Sequence, residues 1–420
     1  MRYSICVFGL GYVGLPLALE FSKKYKVVGY DYNENRIKQL ILGNDKNHSI
    51  SKKKLLKSRV RFTPEKKNIS ECKIFIITVP TPVNQNKQPN LSQLKNATKT
   101  VSKFLKKEDI VIFESTVYPG LTEEELVPIL EKYSKLKYNK DFFVGYSPER
   151  ISPGDKNNIT KIKKVVSGSN RSAGKKIFNL YKSIIKAGIY LAPNIKTAEA
   201  CKILENIQRD VNISLMNEAS IIFDKLNIDT FEVLKAAKTK WNFLNFSPGL
   251  VGGHCISVDP YYMKFKAEQL GLKTQVISSG RAINEKIAKS IFSRIMNYSR
   301  SNKVKLKNIG IMGLTFKENS SDMRNSQIFK LIKYFKRGKI KLQLLDPRIN
   351  KSDLQSQYKQ FLVKKFKGKL DCLVLSTPHN EFLKLSNNYF KNILKKNSLF
   401  FDVKRKRNFK FGNSIKILSL

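Results

Sequence analysis

Three histidines and five cysteines in 420 residues leave little material for a metal centre. No two cysteines stand as C-x-x-C, and Cys6, Cys72, Cys201, Cys255 and Cys372 are spread too thinly to form ligand clusters, so no metal is expected. Their odd number and wide spacing also speak against a disulfide framework and predict a reducing, cytoplasmic setting. No apolar run approaches the ~20 residues that a membrane span takes, so no membrane partner is expected. The apolar opening from Ile5 to Leu19 holds three glycines and a proline, and lacks a basic lead and a cleavage site, which excludes a signal peptide reading.

Acidic residues are scarce too, 33 against 79 Lys plus Arg, for a net charge of +46. Such a field attracts polyanions, but the lysines fall in twos and threes along the whole chain. A nucleic-acid footprint would be a patch or stripe, so no nucleic-acid partner is expected. What the chain does have is core material: 41% hydrophobic and 10% aromatic residues. The length favours two or three domains.

Tyr3 to Phe8 is a β-branched and apolar run that ends at glycine, and Tyr12 to Lys24 follows with helical spacing. Further strands are predicted at Lys26–Asp31, Lys73–Val79, Ile110–Phe113 and Phe142–Tyr146. Apolar strands that alternate with helices imply a parallel sheet covered on both faces. Residues 197–226 contain neither Gly nor Pro and read as one long helix. A second strand and turn begins at Asn308, with a helix expected after Gly313. The interval from Ile309 to Cys372 is 63 positions, against 67 from Ile5 to Cys72, an internal echo. The expected fold is α/β: two Rossmann-like parallel-sheet domains, 1–192 and 304–420, joined by a central helical domain, 193–303.

Gly9-Leu10-Gly11-Tyr12-Val13-Gly14 fits G-x-G-x-x-G between a strand and a helix. The first glycine allows the turn, the second lets backbone approach a pyrophosphate, and the third permits close packing of helix on strand. Asp31 ends the next strand, where a carboxylate accepts hydrogen bonds from a free ribose 2′-hydroxyl and repels a 2′-phosphate, favouring NAD over NADP. Arg36, one helical turn on, is assigned to the same site and argues slightly the other way. Cys255 sits in a glycine-rich loop, Gly249 to Pro260, where a thiol is accessible. Lys202 and Asn206, four apart, project from one face of the long helix and suit joint action on one oxygen atom.

Taken in order, these segments resemble the UDP-glucose/GDP-mannose dehydrogenase family over essentially the whole chain. The resemblance rests on the glycine motif, Glu114-Ser115-Thr116-Val117, Ser147-Pro148-Glu149-Arg150, Lys202 with Asn206, Gly253-His254-Cys255 with Asp259, and Phe316-Lys317 with Asp322 and Arg324. It implies a four-electron oxidation of the C6 hydroxyl of a nucleotide-linked sugar by two NAD⁺, through a thiohemiacetal and a thioester on Cys255. It further implies oxyanion donors at Lys202 and Asn206, a water-orienting Asp259, and an acid–base route through Thr116 and Glu149. Gly9, Gly11, Tyr12, Val13, Gly14, Asp31, Arg36, Thr81, Thr116 and Arg324 are implied for NAD. Glu149, Arg150, Lys202, Asn206, Gly252, Gly253, Lys317 and Arg281 are implied for the substrate, Arg281 crossing from a neighbouring subunit of a homodimer.

Glucose-specific members commonly carry lysine before the aspartate that matches Asp259; here Val258 stands there. The stretch Lys240-Trp241-Asn242-Phe243-Leu244 resembles the branch that acts on UDP-N-acetylhexosamines for bacterial polysaccharides. UDP-GlcNAc or UDP-GalNAc is therefore the expected substrate, with UDP-glucose and UDP-ManNAc as alternatives. At the other end Arg405-Lys406-Arg407 replaces the family's glycine-led continuation, so an altered final strand is expected. Two competing readings remain: a two-electron β-hydroxyacid dehydrogenase, which needs no Cys255, and a nucleic-acid-binding protein on a vestigial cofactor fold.

Overall fold

The computed structural model describes residues 4–45, 50–150, 159–336 and 340–420. They form two compact units, Met1–Glu205 with Tyr261–Lys273, and Asn206–Pro260 with Thr274–Leu420.

The first unit is built on an eight-stranded sheet. Its strands are β1 (Ser4–Phe8), β2 (Lys26–Tyr30), β3 (Val60–Thr63), β4 (Ile74–Ile77), β5 (Ile110–Phe113), β6 (Phe143–Tyr146), β7 (Lys164–Gly168) and β8 (Ile189–Leu191). Their order is β3-β2-β1-β4-β5-β6-β7-β8. Tyr3, expected to open β1, lies outside the described residues. The middle strands read IVIF and IFII and are buried throughout, because helices cover both faces and every residue of such a strand faces apolar packing. All neighbours pair in parallel except β6 and β7, which run antiparallel through Gly145↔Gly168 and Tyr146↔Ser167. That reversal brings the start of β7 to the edge where β5 and β6 end, the edge at which ligands of open α/β sheets bind.

The second unit holds a five-stranded parallel sheet: β9 (Asn308–Met312), β10 (Lys341–Leu345), β11 (Leu370–Leu375), β12 (Leu394–Asp402) and β13 (Ile415–Ser419). The order is β10-β9-β11-β12-β13. Ile287, Ile291 and Ile295 of the helix Gln275–Ser301 pack in its core with Ile309, Ile311 and Val374. The long helix expected over 197–226 runs over Ile195–Lys225, 31 residues in all. No helix among the described residues is long and apolar enough to cross a membrane.

Two expectations need revision in detail. No helix follows Gly313 directly; the next one is Ile328–Lys336. The intervening segment turns twice through left-handed asparagines, Asn319 at φ 59° and Asn325 at φ 53°, a conformation that asparagine tolerates and a helix does not. The final strand is regular, paired with β12 from Ser398↔Ile415 to Asp402↔Ser419.

Arg405, which opens the stretch where the resemblance implied a glycine, has φ 45°, a left-handed backbone that costs a non-glycine residue about 1 kcal/mol or more. Its guanidinium meets both oxygens of Asp229 at 2.6 Å, and it lies 5.6 Å from the Phe231 ring. The ion pair is about one-third exposed and worth at most about 1 kcal/mol. Arg405→Gly is therefore expected to leave stability nearly unchanged, while Arg405→Ala, which keeps the strain and loses the pair, loses about 1 kcal/mol. Urea unfolding of both variants checks this, and a glycine variant less stable than the alanine one contradicts it.

Candidate active site

In the first unit, the turn after β1 is closed by Gly9, whose N–H donates to Tyr30 O at 2.8 Å and whose φ is 96°. The helix Gly14–Phe21 starts at once, with Tyr12 and Val13 half-buried before it. A Cβ on Gly14 would stand 1.9 Å from Gly9 O and 2.3 Å from Thr78 Oγ1, whereas one on Gly11 would meet nothing within 4 Å. The third glycine thus serves packing and the second leaves backbone open to an approaching diphosphate at a helix N-terminus. Asp31 Oδ2 accepts from Leu10 N at 2.9 Å and Oδ1 from Asn33 N at 3.0 Å. Arg36 donates to Leu10 O at 2.9 Å and Asp45 Oδ1 at 2.8 Å, contacts that tie it to the fold. A cleft of about 620 Å³ is lined by Gly9, Gly11, Asp31, Arg36, Thr78 and Thr100, among others, a size that suits a cofactor. The open backbone at Gly11 and the acid at Asp31 fit NAD.

Beyond it, Thr81 Oγ1 donates to Thr116 O at 2.7 Å and Ser115 Oγ to Val79 O at 2.6 Å, joining the ends of β4 and β5. Glu114 and Glu149 share a group that the motif reading missed. Lys164, the first residue of β7, places Nζ 2.8 Å from Glu114 Oε2 and 3.5 Å from Glu149 Oε2. Tyr181 donates its hydroxyl to Glu114 Oε1. All four are buried. Burial alone would depress the Lys164 ammonium, but the carboxylates of Glu114 and Glu149 outweigh it and raise it above its usual range. Burial pushes the Glu114 carboxyl up against the pull of Lys164. Arg150 is paired with Glu205 and donates to Lys163 O at 3.1 Å. Lys202 is buried one turn before Asn206 on the long helix.

In the second unit, the Cys255 carbonyl accepts from Val258 N at 2.9 Å and Asp259 N at 2.8 Å, so the chain winds from Cys255 into the helix Asp259–Gln269. Cys255 is partly exposed. Asp259 is buried and accepts a hydrogen bond from the Asn206 amide. The two glycines before the thiol have a packing reason. A Cβ on Gly252 would lie 2.7 Å from Asn325 O, and one on Gly253 would lie 2.8 Å from the Phe316 ring. Gly253 also has φ 91°, and its N–H donates to Arg324 O at 3.1 Å.

Arg324 forks onto Asp322, with Nη2 2.6 Å from Oδ2, and His254 Nδ1 lies 3.7 Å from the same oxygen. Burial works to raise the Asp322 carboxyl, but Arg324 holds it below its usual value. Lys317 is half-buried and its carbonyl accepts from Thr315 Oγ1 at 2.9 Å. Arg281 is buried within its own chain, 2.6 Å from Asp210 and 2.7 Å from Glu285.

The turn after β9 repeats the one after β1. Gly313 N donates to Leu345 O at 3.0 Å, Leu314 N to Asp346 Oδ2 at 2.7 Å and Arg348 N to Asp346 Oδ1 at 2.9 Å. Gly313 has φ 87°. The internal echo in the sequence is thus a repeated strand-turn-strand hydrogen-bond pattern.

A dinucleotide turn after β1 and a second turn of the same construction after β9 define an α/β protein built to hold nucleotides at two sheets. Comparison with known proteins makes the class specific. Three domains described for the UDP-glucose/GDP-mannose dehydrogenase family match: the NAD binding domain over residues 3–185, the central domain over 196–286 and the UDP binding domain over 310–407. The chain is 45% identical over 408 residues to Protein CapL of Staphylococcus aureus, covering 96% of both. It is 44% identical over 405 residues to the UDP-N-acetyl-D-glucosamine 6-dehydrogenase of Pseudomonas aeruginosa, 95% of this chain and 96% of the other. The solved UDP-D-ManNAc dehydrogenase of Pyrococcus horikoshii superposes with a TM-score of 0.87 at 27% identity, covering 99% of this chain and 98% of that one. The chain belongs to the UDP-glucose/GDP-mannose dehydrogenase family and is an NAD-dependent nucleotide-sugar dehydrogenase.

Proposed function

We propose that this enzyme oxidises the C6 hydroxyl of a UDP-N-acetylhexosamine, UDP-GlcNAc or UDP-GalNAc, to the uronic acid for capsule or related polysaccharide synthesis. Identity of 44% to a protein named for UDP-N-acetyl-D-glucosamine, over 95% of the chain, carries the substrate reading, and the likeness to Protein CapL supports the capsule. UDP-ManNAc is the second reading, favoured by the fold match to a dehydrogenase of that sugar.

Bound NAD⁺ supplies the hydride acceptor. In this reading the residues of the chain divide the remaining work. The C6 hydroxyl gives up its proton through the water-mediated route of Thr116 and Glu149 as the first hydride leaves C6, which makes the aldehyde. The Cys255 sulfur then adds to the aldehyde carbon, forming a C–S bond and a thiohemiacetal, and loss of the second hydride leaves a thioester. Water, oriented by Asp259, breaks the C–S bond, releasing the carboxylate and restoring the thiol. Covalent capture splits a hard step and retains the aldehyde. Lys202 and Asn206 donate to the oxyanion formed at C6, interactions that strengthen as charge develops. Asp259 is supported in its role by the Asn206 amide that orients it. Lys317 is assigned to the diphosphate. Gly252 and Gly253 shape the loop, and Arg150 lines the substrate side.

A homodimer fits the apolar positions of the long helix, where Leu215 and Ile222 are 55% and 52% exposed. Five thinly spread cysteines with no C-x-x-C pair suit the cytoplasm. The test is NADH released per sugar consumed by purified enzyme offered UDP-GlcNAc, UDP-GalNAc, UDP-ManNAc and UDP-glucose in parallel. Two NADH per sugar with an N-acetylated substrate is the expected result. One NADH per sugar would reduce the protein to a two-electron dehydrogenase.

A further inference from the structure

We propose that Lys164 is a positioning residue for the reaction: it holds the Glu149 carboxylate in place through an ion-paired bridge anchored on Glu114. This rests on the reading of Glu149 as an acid–base group.

The geometry is local to the first unit. Glu114 follows β5, Glu149 follows β6, and both leave the sheet at its ligand-binding edge. A parallel β7 would begin at the opposite edge. Because β7 runs antiparallel to β6, its first side chain, Lys164, arrives beside the two acids, and Ser147 Oγ ties the two strands by donating to Val165 O at 2.8 Å. Glu114 is the anchor. One oxygen takes the ammonium at 2.8 Å and the other takes the Tyr181 hydroxyl, so its geometry is fixed from both sides. The Glu149 carboxylate meets the same ammonium, with Oε2 at 3.5 Å, and its Oε1 accepts from Arg150 N at 2.5 Å. A buried lysine between two acids is also costly to desolvate, and apolar side chains of similar volume often serve stability as well. The bridge therefore makes sense where it orients a reacting group.

A residue that acts through another adds nothing once that other is gone. Four full-length enzymes decide the matter: Glu149→Gln, Glu114→Gln/Lys164→Met, the triple combination, and Lys164→Arg. Removing one acid with the lysine leaves the net buried charge unchanged. The Glu114→Gln/Lys164→Met enzyme is expected to lose about 10- to 100-fold in kcat, with KM for NAD⁺ and the UDP-sugar within about twofold. The triple variant should then be no slower than Glu149→Gln alone. Lys164→Arg, which keeps the charge and so tests the idea even if the double variant folds poorly, should retain kcat within about threefold. An unchanged kcat in the Glu114→Gln/Lys164→Met enzyme overturns the proposal, as does a further loss in the triple variant or a Lys164→Arg enzyme as slow as Glu149→Gln. Wild-type turnover by Glu149→Gln would instead remove the acid–base reading itself.

Discussion

Cys255→Ala is expected to leave NAD⁺ binding at wild-type strength while acid product falls by about 10³-fold or more, the scale on which loss of a covalent nucleophile acts. The turn should survive the change, because the bonds that start the helix Asp259–Gln269 go to the Cys255 carbonyl, which alanine keeps. Replacing a partly exposed thiol by a methyl group removes little packing. Loss of turnover would therefore report chemistry. Quantifying the uronic acid by mass spectrometry, with NAD⁺ affinity measured by calorimetry on the same sample, separates the two. Acid product at even a few per cent of the wild-type rate would remove Cys255 from the role of nucleophile.

The second large effect concerns Gly14. Alanine there would put a methyl carbon 1.9 Å from Gly9 O and 2.3 Å from Thr78 Oγ1. Neither atom can yield cheaply, since Thr78 Oγ1 donates to Gly9 O at 2.7 Å and the Gly9 turn is pinned to Tyr30. Gly14→Ala should lower stability by about 1–3 kcal/mol and abolish NAD⁺ binding, because the helix must move off the sheet and carry its N-terminus away. Gly11→Ala is the contrast. With open space around its Cβ it should melt at the wild-type temperature yet bind NAD⁺ weakly, the methyl group occupying room that the diphosphate needs. Thermal melts with and without NAD⁺ distinguish these outcomes. A Gly14→Ala protein that melts with the wild type would show that the close approach is absent.

Much of this fold is legible in the sequence because its signals are local. Glycine spacing announces the turn after β1, apolar runs announce β4 and β5, and the absence of Gly and Pro announces the long helix. What escapes depends on tertiary pairing. Lys164 opens the run Lys-Val-Val-Ser-Gly in a chain with 79 basic residues, so nothing in its neighbourhood marks it. Its significance comes from the antiparallel pairing of β7 with a strand about twenty positions earlier. Gly252 and Gly253 are a milder case. The sequence suggests that they expose a thiol, but their need for small size comes from Phe316 and Asn325, which no spacing rule connects to them. Arg405 illustrates the reverse, where an apparent break with the family pattern leaves β13 intact because Asp229 and Phe231 accommodate the unusual backbone.

The two matching turns differ in what comes next. After Gly9 a helix begins within five residues, so a bound phosphate there is read by main-chain N–H groups, which most exchanges of side chain leave in place. After Gly313 the next helix is Ile328–Lys336, and the cation proposed for the diphosphate is a side chain, that of Lys317. In evolutionary terms the first turn is nearly frozen, because Gly14 cannot be exchanged without moving backbone, and the second is open to revision one side chain at a time. Lineages of this architecture can therefore change the sugar nucleotide they accept while keeping the same redox partner.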